Sequence, residues 1–95
     1  IYHWERQMTY IDKIKVADIG DVPIVPIDVM KTYEIIEKYF LELLKKDKKF
    51  ISVGGDHSTT LPILRALNKK YKKPLAVVHF DAHLDTYPAA WGCEY

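Results

Sequence analysis

Cys93 is the only cysteine in the 95 residues, so no internal disulfide can form, and a reducing, cytoplasmic location is the expectation. No apolar run approaches the roughly 20 residues that span a bilayer, and no signal-peptide pattern stands at the start. Neither sign of charge is in excess. Fourteen Lys and Arg face 13 Asp and Glu for a formal net charge of +1, which removes the electrostatic case for a nucleic-acid partner. Internal repeats, low-complexity segments and linkers are missing as well. What is there, 48% hydrophobic and 28% charged, fits one small α/β unit. A domain of this size buries a limited share of its surface, and a three-strand sheet has unprotected edges. Residues 1–95 are therefore read as a single incomplete domain of marginal stability.

Along the chain, residues 1–12 show no clear period. Residues 13–17 alternate in a strand-like way until Asp18-Ile19-Gly20-Asp21 breaks the pattern. Pro23 and Pro26 keep the next connection extended and outside any ladder. From about Lys31 to Lys46, Ile36, Tyr39, Phe40, Leu43 and Leu44 recur at three- and four-residue spacing, which predicts a helix with one core-facing stripe. A second helix, from Thr60 to Tyr71, is opened by Pro62 and places Ile63, Leu64, Leu67 and Tyr71 on one side. The lysine runs 45–49 and 69–73 fall at the ends of these helices, where cations complement the dipole. The segments 50–53 and 75–80 read as apolar strands flanking the second helix, which makes a βαβ unit with parallel strands.

Both strands run into residues that carry chemistry. After the second comes Val78-His79-Phe80-Asp81-Ala82-His83-Leu84-Asp85. In extended backbone Asp81, His83 and Asp85 project to one side and Phe80, Ala82 and Leu84 to the other. Two carboxylates and an imidazole suit manganese, zinc or non-haem iron better than thiolate-seeking metals. After the first strand comes Gly54-Gly55-Asp56-His57-Ser58. The glycine pair permits positive φ and a sharp turn that aims His57 back as a fourth ligand, and the hydroxyl residues that follow can cap the second helix. Open α/β sheets place their sites at such carboxyl ends of strands.

Gly54-Gly55-Asp56-His57-Ser58 followed by Asp81-Ala82-His83-Leu84-Asp85-Thr86 resembles the ureohydrolases, the arginase and agmatinase family, over about residues 13–95. Thr86-Tyr87 and Gly92-Cys93-Glu94-Tyr95 resemble the agmatinase branch. The resemblance implies a three-layer αβα fold with a mainly parallel sheet. It also implies two manganese ions, one held by His57, Asp81 and Asp85, with Asp81 bridging to a second held by His83. Asp85 would orient the nucleophile and pass its proton to the departing amine. The substrate implied is a small guanidino compound, agmatine first, cleaved to urea and putrescine. Other members act on guanidinobutyrate, arginine or formiminoglutamate. Relatives complete the site with an Asp-x-Asp pair and a histidine that do not occur in these residues, so an internal piece of a longer enzyme is expected. Such a piece would be inactive alone, and homo-oligomeric when whole. A metal-binding segment without catalysis is the reading from another class.

The chemistry explains the metals. A guanidinium carbon is a poor electrophile, and two divalent ions sharing a water lower its pKa toward about 7, so no strong side-chain base is needed. Asp56 is given a turn role or the task of accepting from a metal-bound histidine. His79 is assigned to the core or to support of the ligands, on the reading that it reaches the side of Asp81 only through a bulge.

Overall fold

The computed structural model describes residues 2–9 and 13–85, and the backbone alone at 89–90 and 93–94. Its spine is a pair of packed helices. Helix α1 spans Val29–Leu44 and is opened by Asp28, whose side chain accepts from the Lys31 N–H at 2.8 Å. Tyr33, Ile36, Phe40, Leu43 and Leu44 form its buried stripe at the predicted spacing, and Tyr39 is half-buried. The helix ends two residues before the lysine run would have carried it. Lys46 donates to the Leu43 carbonyl at 2.9 Å, and Asp47 turns the chain at φ 48°. Upstream, the Pro23–Pro26 segment is held against the first turn by Thr32. Its hydroxyl accepts from the Val25 N–H at 2.9 Å and donates to the Val25 carbonyl at 3.1 Å.

Helix α2 spans Thr60–Tyr71 and follows directly on a short 3-10 turn, His57–Thr59. Its buried residues are Pro62 and Ala66, with Ile63 and Leu67 packed at the margin of the core formed with Ile36, Phe40 and Leu44. Tyr71, expected on that face, is instead exposed; it is the last residue of α2, before Lys72 turns left-handed at φ 50°. Two lysines of the last turn tie the helices together. Lys69 pairs with Glu37, and Lys70 donates its Nζ to the Leu44 carbonyl, one of the acceptors that the end of α1 leaves without an intrahelical donor.

Two small antiparallel hairpins, the first with a 3-10 turn at Trp4–Arg6 between its strands, complete the described elements. Strand β1 (Tyr2–His3) pairs with β2 (Met8–Thr9), and β3 (Ala89–Ala90) with β4 (Cys93–Glu94). Among the described residues the expected parallel strands are not formed: 13–17, 50–53 and 75–80 carry no ladder. The physical reason lies in what a parallel strand requires. It pairs less strongly than an antiparallel one and is stable only with both faces covered. Here Ile51, Val53 and Phe80 are each more than nine-tenths exposed. None of the helices is long and apolar enough to cross a membrane among the described residues.

Candidate metal centre

The site begins at the leading edge of α2. Glycine suits position 54 because a Cβ there would run into the Thr59 hydroxyl, which would have to move, and lie 3.4 Å from Thr59 Cβ. The expected positive φ is absent from both Gly54 and Gly55, and the close approach alone explains the first of them. Asp56 then caps the 3-10 turn, accepting from the Ser58 N–H at 2.8 Å and from the Ser58 hydroxyl. Those two donors, the hydroxyl foremost, hold its carboxyl below the usual carboxylate range. With Asp56 occupied in this way, His57 is the first side chain past the cap and reaches toward residues 79–85.

There it meets three partners. His57 Nε2 contacts the Asp85 carboxylate, and its Nδ1 lies 3.8 Å from Asp81 Oδ2. His79 Nε2 lies 3.7 Å from Asp81 Oδ2 and 3.7 Å from Asp85 Oδ2. The two imidazoles stack at 5.6 Å between centroids and 27° between planes. One ligand atom from each of His57, His79, Asp81 and Asp85 falls within 4.8 Å of the others. Donors bound about 2.0–2.2 Å from a common ion stand roughly 3 to 4.4 Å apart, so this set of two imidazoles and two carboxylates fits a divalent cation with small adjustments.

Of the four residues singled out in the sequence, His57, Asp81 and Asp85 are thus brought together. His83 lies to the other side of Asp81, largely exposed, with its Nδ1 3.5 Å from Asp81 Oδ1. The chain bends at 81–83, where Asp81 Oδ1 accepts from the His83 N–H at 2.9 Å, so strand alternation stops at Asp81. That backbone donor, with the nearby His57, His79 and His83, holds the Asp81 carboxyl below its ordinary range. Asp85 returns to the cluster at φ 51°, a left-handed conformation that Asp tolerates better than most residues.

His79 is the residue that the sequence reading set aside. Residues two apart in extended backbone share a side, so His79 stands with Asp81 by simple alternation and needs no bulge. The parity of 79, 81, 83 and 85 was the available signal. Thr86, Tyr87, Gly92 and Tyr95 lie outside the described residues, and of Cys93 and Glu94 only the backbone is described.

Comparison with known proteins agrees with these motifs. The chain is 41% identical over 92 residues to a guanidinopropionase from Pseudomonas aeruginosa, covering 97% of this chain and 28% of the relative. It is 43% identical over 94 residues to an agmatinase from Citrobacter koseri, covering 99% of this chain and 29% of that protein. Proclavaminate amidinohydrolase of Streptomyces clavuligerus is 42% identical over 84 residues, covering 88% and 26%. The chain therefore spans a little over a quarter of the length of these curated relatives. No solved structure matches it. The Arginase family model, however, matches residues 1–95, so every residue of both motifs falls within the match, and the α/β fold that goes with it is that of the family: this chain belongs to the arginase family.

Proposed function

We propose that this chain contributes metal-binding motifs to a dimanganese ureohydrolase that cleaves a guanidino group to urea and an amine, with agmatine as the substrate and putrescine as the amine product. The observation that carries the reading is the setting of Asp81. Its Oδ2 faces His57 and His79, and its Oδ1 faces the His83 ring, so one carboxylate has imidazoles on both sides. A carboxylate so flanked suits two cations, the first shared with His57 and Asp85 and the second with His83. Manganese accords with a donor set of carboxylates and imidazoles without thiolate. When bound, two such ions supply a water acidic enough to ionise near neutral pH.

The protein's own groups do the rest. Asp85, in contact with His57, holds a carboxylate at the edge of the cluster, where it can orient the attacking water and carry its proton to the leaving amine. Asp56 fixes the turn from which His57 projects. A mainly parallel sheet within an αβα sandwich is the setting we propose for the whole protein, with 50–53 and 75–80 as neighbouring strands whose exposed apolar residues the sheet would cover.

A second reading stays within the same chemistry. The guanidinopropionase is nearly as similar as the agmatinases, and the two substrates differ at the tail, a carboxylate in one and an ammonium in the other. Agmatine is preferred because Thr86-Tyr87 and Gly92-Cys93-Glu94-Tyr95 resemble agmatinases. A pocket built for it would leave a tail carboxylate without a partner, which is costly once desolvated. Urea release from agmatine, guanidinopropionate and arginine by an enzyme carrying this segment, with manganese present, decides among them. A higher kcat/KM for either carboxylate substrate would reassign the substrate, and no urea from any guanidino compound would remove the enzymatic reading.

A further inference from the structure

The two lysine runs are separate in sequence and together in space. Lys70 donates its Nζ to the Leu44 carbonyl, so the carboxyl ends of α1 and α2 stand side by side, and the runs 45–49 and 69–73 share one end of the helix pair. Eight of the chain's 14 basic residues are gathered there, every one of them exposed. Local pairing and capping account for three. Lys45 pairs with Glu42, Lys69 with Glu37, and Lys70 holds the Leu44 carbonyl. Lys46, Lys48, Lys49, Lys72 and Lys73 make no ion pair among the described residues, and Asp47 is the only acid within either run. The formal net charge of +1 conceals this polarity. Asp56, Asp81 and Asp85 stand with His57 at the head of α2, about 18 Å away by the rise of its 12 residues.

The residue types select the partner. Both runs are lysine without arginine. Lysine is a point charge on a flexible stem, whereas the planar arginine fork is what grips a phosphate bidentately or reads a base. Tyr71 is the only aromatic within the runs, where binders of single-stranded nucleic acid line up several for stacking. It is exposed, with the Lys70 Nζ 5.4 Å from its ring centre. Lysines around an exposed tyrosine suit an anionic lipid surface, because the ammonium groups meet the headgroups while the amphipathic ring sits at their level. A fluid layer of headgroups also demands no fixed geometry of the lysines. We propose that the end of the helix pair carrying 45–49 and 69–73 is a docking surface for an anionic lipid bilayer. Clusters of about four to eight basic residues are the size that such surfaces use. The protein lies on the membrane without entering it, and the head of α2 with His57 is turned to water.

Cosedimentation of the chain with vesicles of phosphatidylglycerol and phosphatidylcholine in equal parts, at about 0.1 M salt, tests this apart from any urea release. The chain should pellet with these vesicles and stay in solution with phosphatidylcholine alone. Raising the salt to about 1 M, which shortens the screening length to about 3 Å, should release it. Each lysine near the surface strengthens such binding by about fivefold, so Lys72→Gln combined with Lys73→Gln should weaken it by about 25-fold. Adding Lys48→Gln and Lys49→Gln should abolish it. Lys31→Glu makes the same change in net charge as the first pair but lies near the other end of α1, about 20 Å from the surface. It should shift binding by less than about twofold. Helical circular dichroism of each variant reports that α1 and α2 are intact. No pelleting with the anionic vesicles overturns the proposal, as does equal pelleting with phosphatidylcholine alone. Equal losses in Lys31→Glu and in the Lys72, Lys73 pair would overturn it too. Polyuridylate bound more tightly than the vesicles at matched anionic charge, and lost in the same lysine variants, would replace the bilayer by a single-stranded nucleic acid.

Discussion

At Gly54 the backbone passes close under the Thr59 side chain, whose hydroxyl donates to the Asp56 carbonyl at 3.1 Å. Gly55, one residue on, faces open space. The pair therefore predicts an asymmetry. Gly54→Ala should cost about 1–3 kcal/mol, as overpacking does, and should displace the turn that carries His57. Gly55→Ala should stay within about 0.5 kcal/mol. Thermal unfolding of the two variants measures it, and equal costs would mean that the turn is not built on close approach. Asp56 and Asp81 offer a second contrast. In an enzyme carrying this segment, Asp56→Asn should reduce turnover by about 10- to 100-fold, because it acts through the position of His57. Asp81→Asn should reduce it far more, since Asp81 stands between the two groups of imidazoles. Similar losses in the two variants at saturating manganese would sink the bridging assignment. The residues of the candidate cluster stood out in the sequence because Asp and His at alternate positions after an apolar run have few other uses. What could not be read was where alternation stops, since that depends on one hydrogen bond from the His83 N–H to Asp81.

Elements were read unevenly, and the reason is the range of the interactions that make them. Helix α1 was legible to within two residues because its stripe and its Asp28 cap are contained in its own sequence. The existence of α2 was equally local, but its buried side depends on how it crosses α1. The contact selects Pro62 and Ala66 and leaves Tyr71 in water. The strands at 50–53 and 75–80 were read from apolar composition, whereas a ladder depends on partners distant in sequence, and no pairing forms there among the described residues. At the helix contact Ala66 is fully buried against α1. Ala66→Leu would force the helices apart and should cost about 1–3 kcal/mol, whereas Lys69→Ala, which removes only a partly exposed pair with Glu37, should cost less than about 1 kcal/mol. The loss of helical circular dichroism with urea compares them. Equal effects would show that the two helices are not held by packing.

The molecule as a whole has more surface than its length requires. It exposes 8982 Å², whereas a compact protein of 11.1 kDa exposes about 5,700 Å². Its radius of gyration is 16.2 Å, against roughly 12 Å for a compact domain of this size. Apolar side chains are part of that surface: Ile51, Val53, Val78 and Phe80 on the unpaired segments are open to water, as are Trp4 and Ile27 elsewhere in the chain. With these segments bare, the chain is held together by two helices, and the core of Ile36, Phe40, Leu44 and Ala66 is its only cluster of buried residues among those described.

That division of the molecule runs through the candidate metal centre. His57 stands at the head of α2, within reach of the helix pair, whereas His79, Asp81 and Asp85 lie on a segment without ladder hydrogen bonds. In terms of amide hydrogen exchange, α1 and α2 should be the slow part of the chain and 72–85 should exchange almost at the intrinsic rate. An ion that joins His57 to residues 79–85 would then act as a staple between a protected unit and an open one. Deuterium uptake followed with and without manganese should show new protection at 79–85 and little change within α1. Protection that rose uniformly, or only in the helices, would mean that the ion does not bridge the two parts.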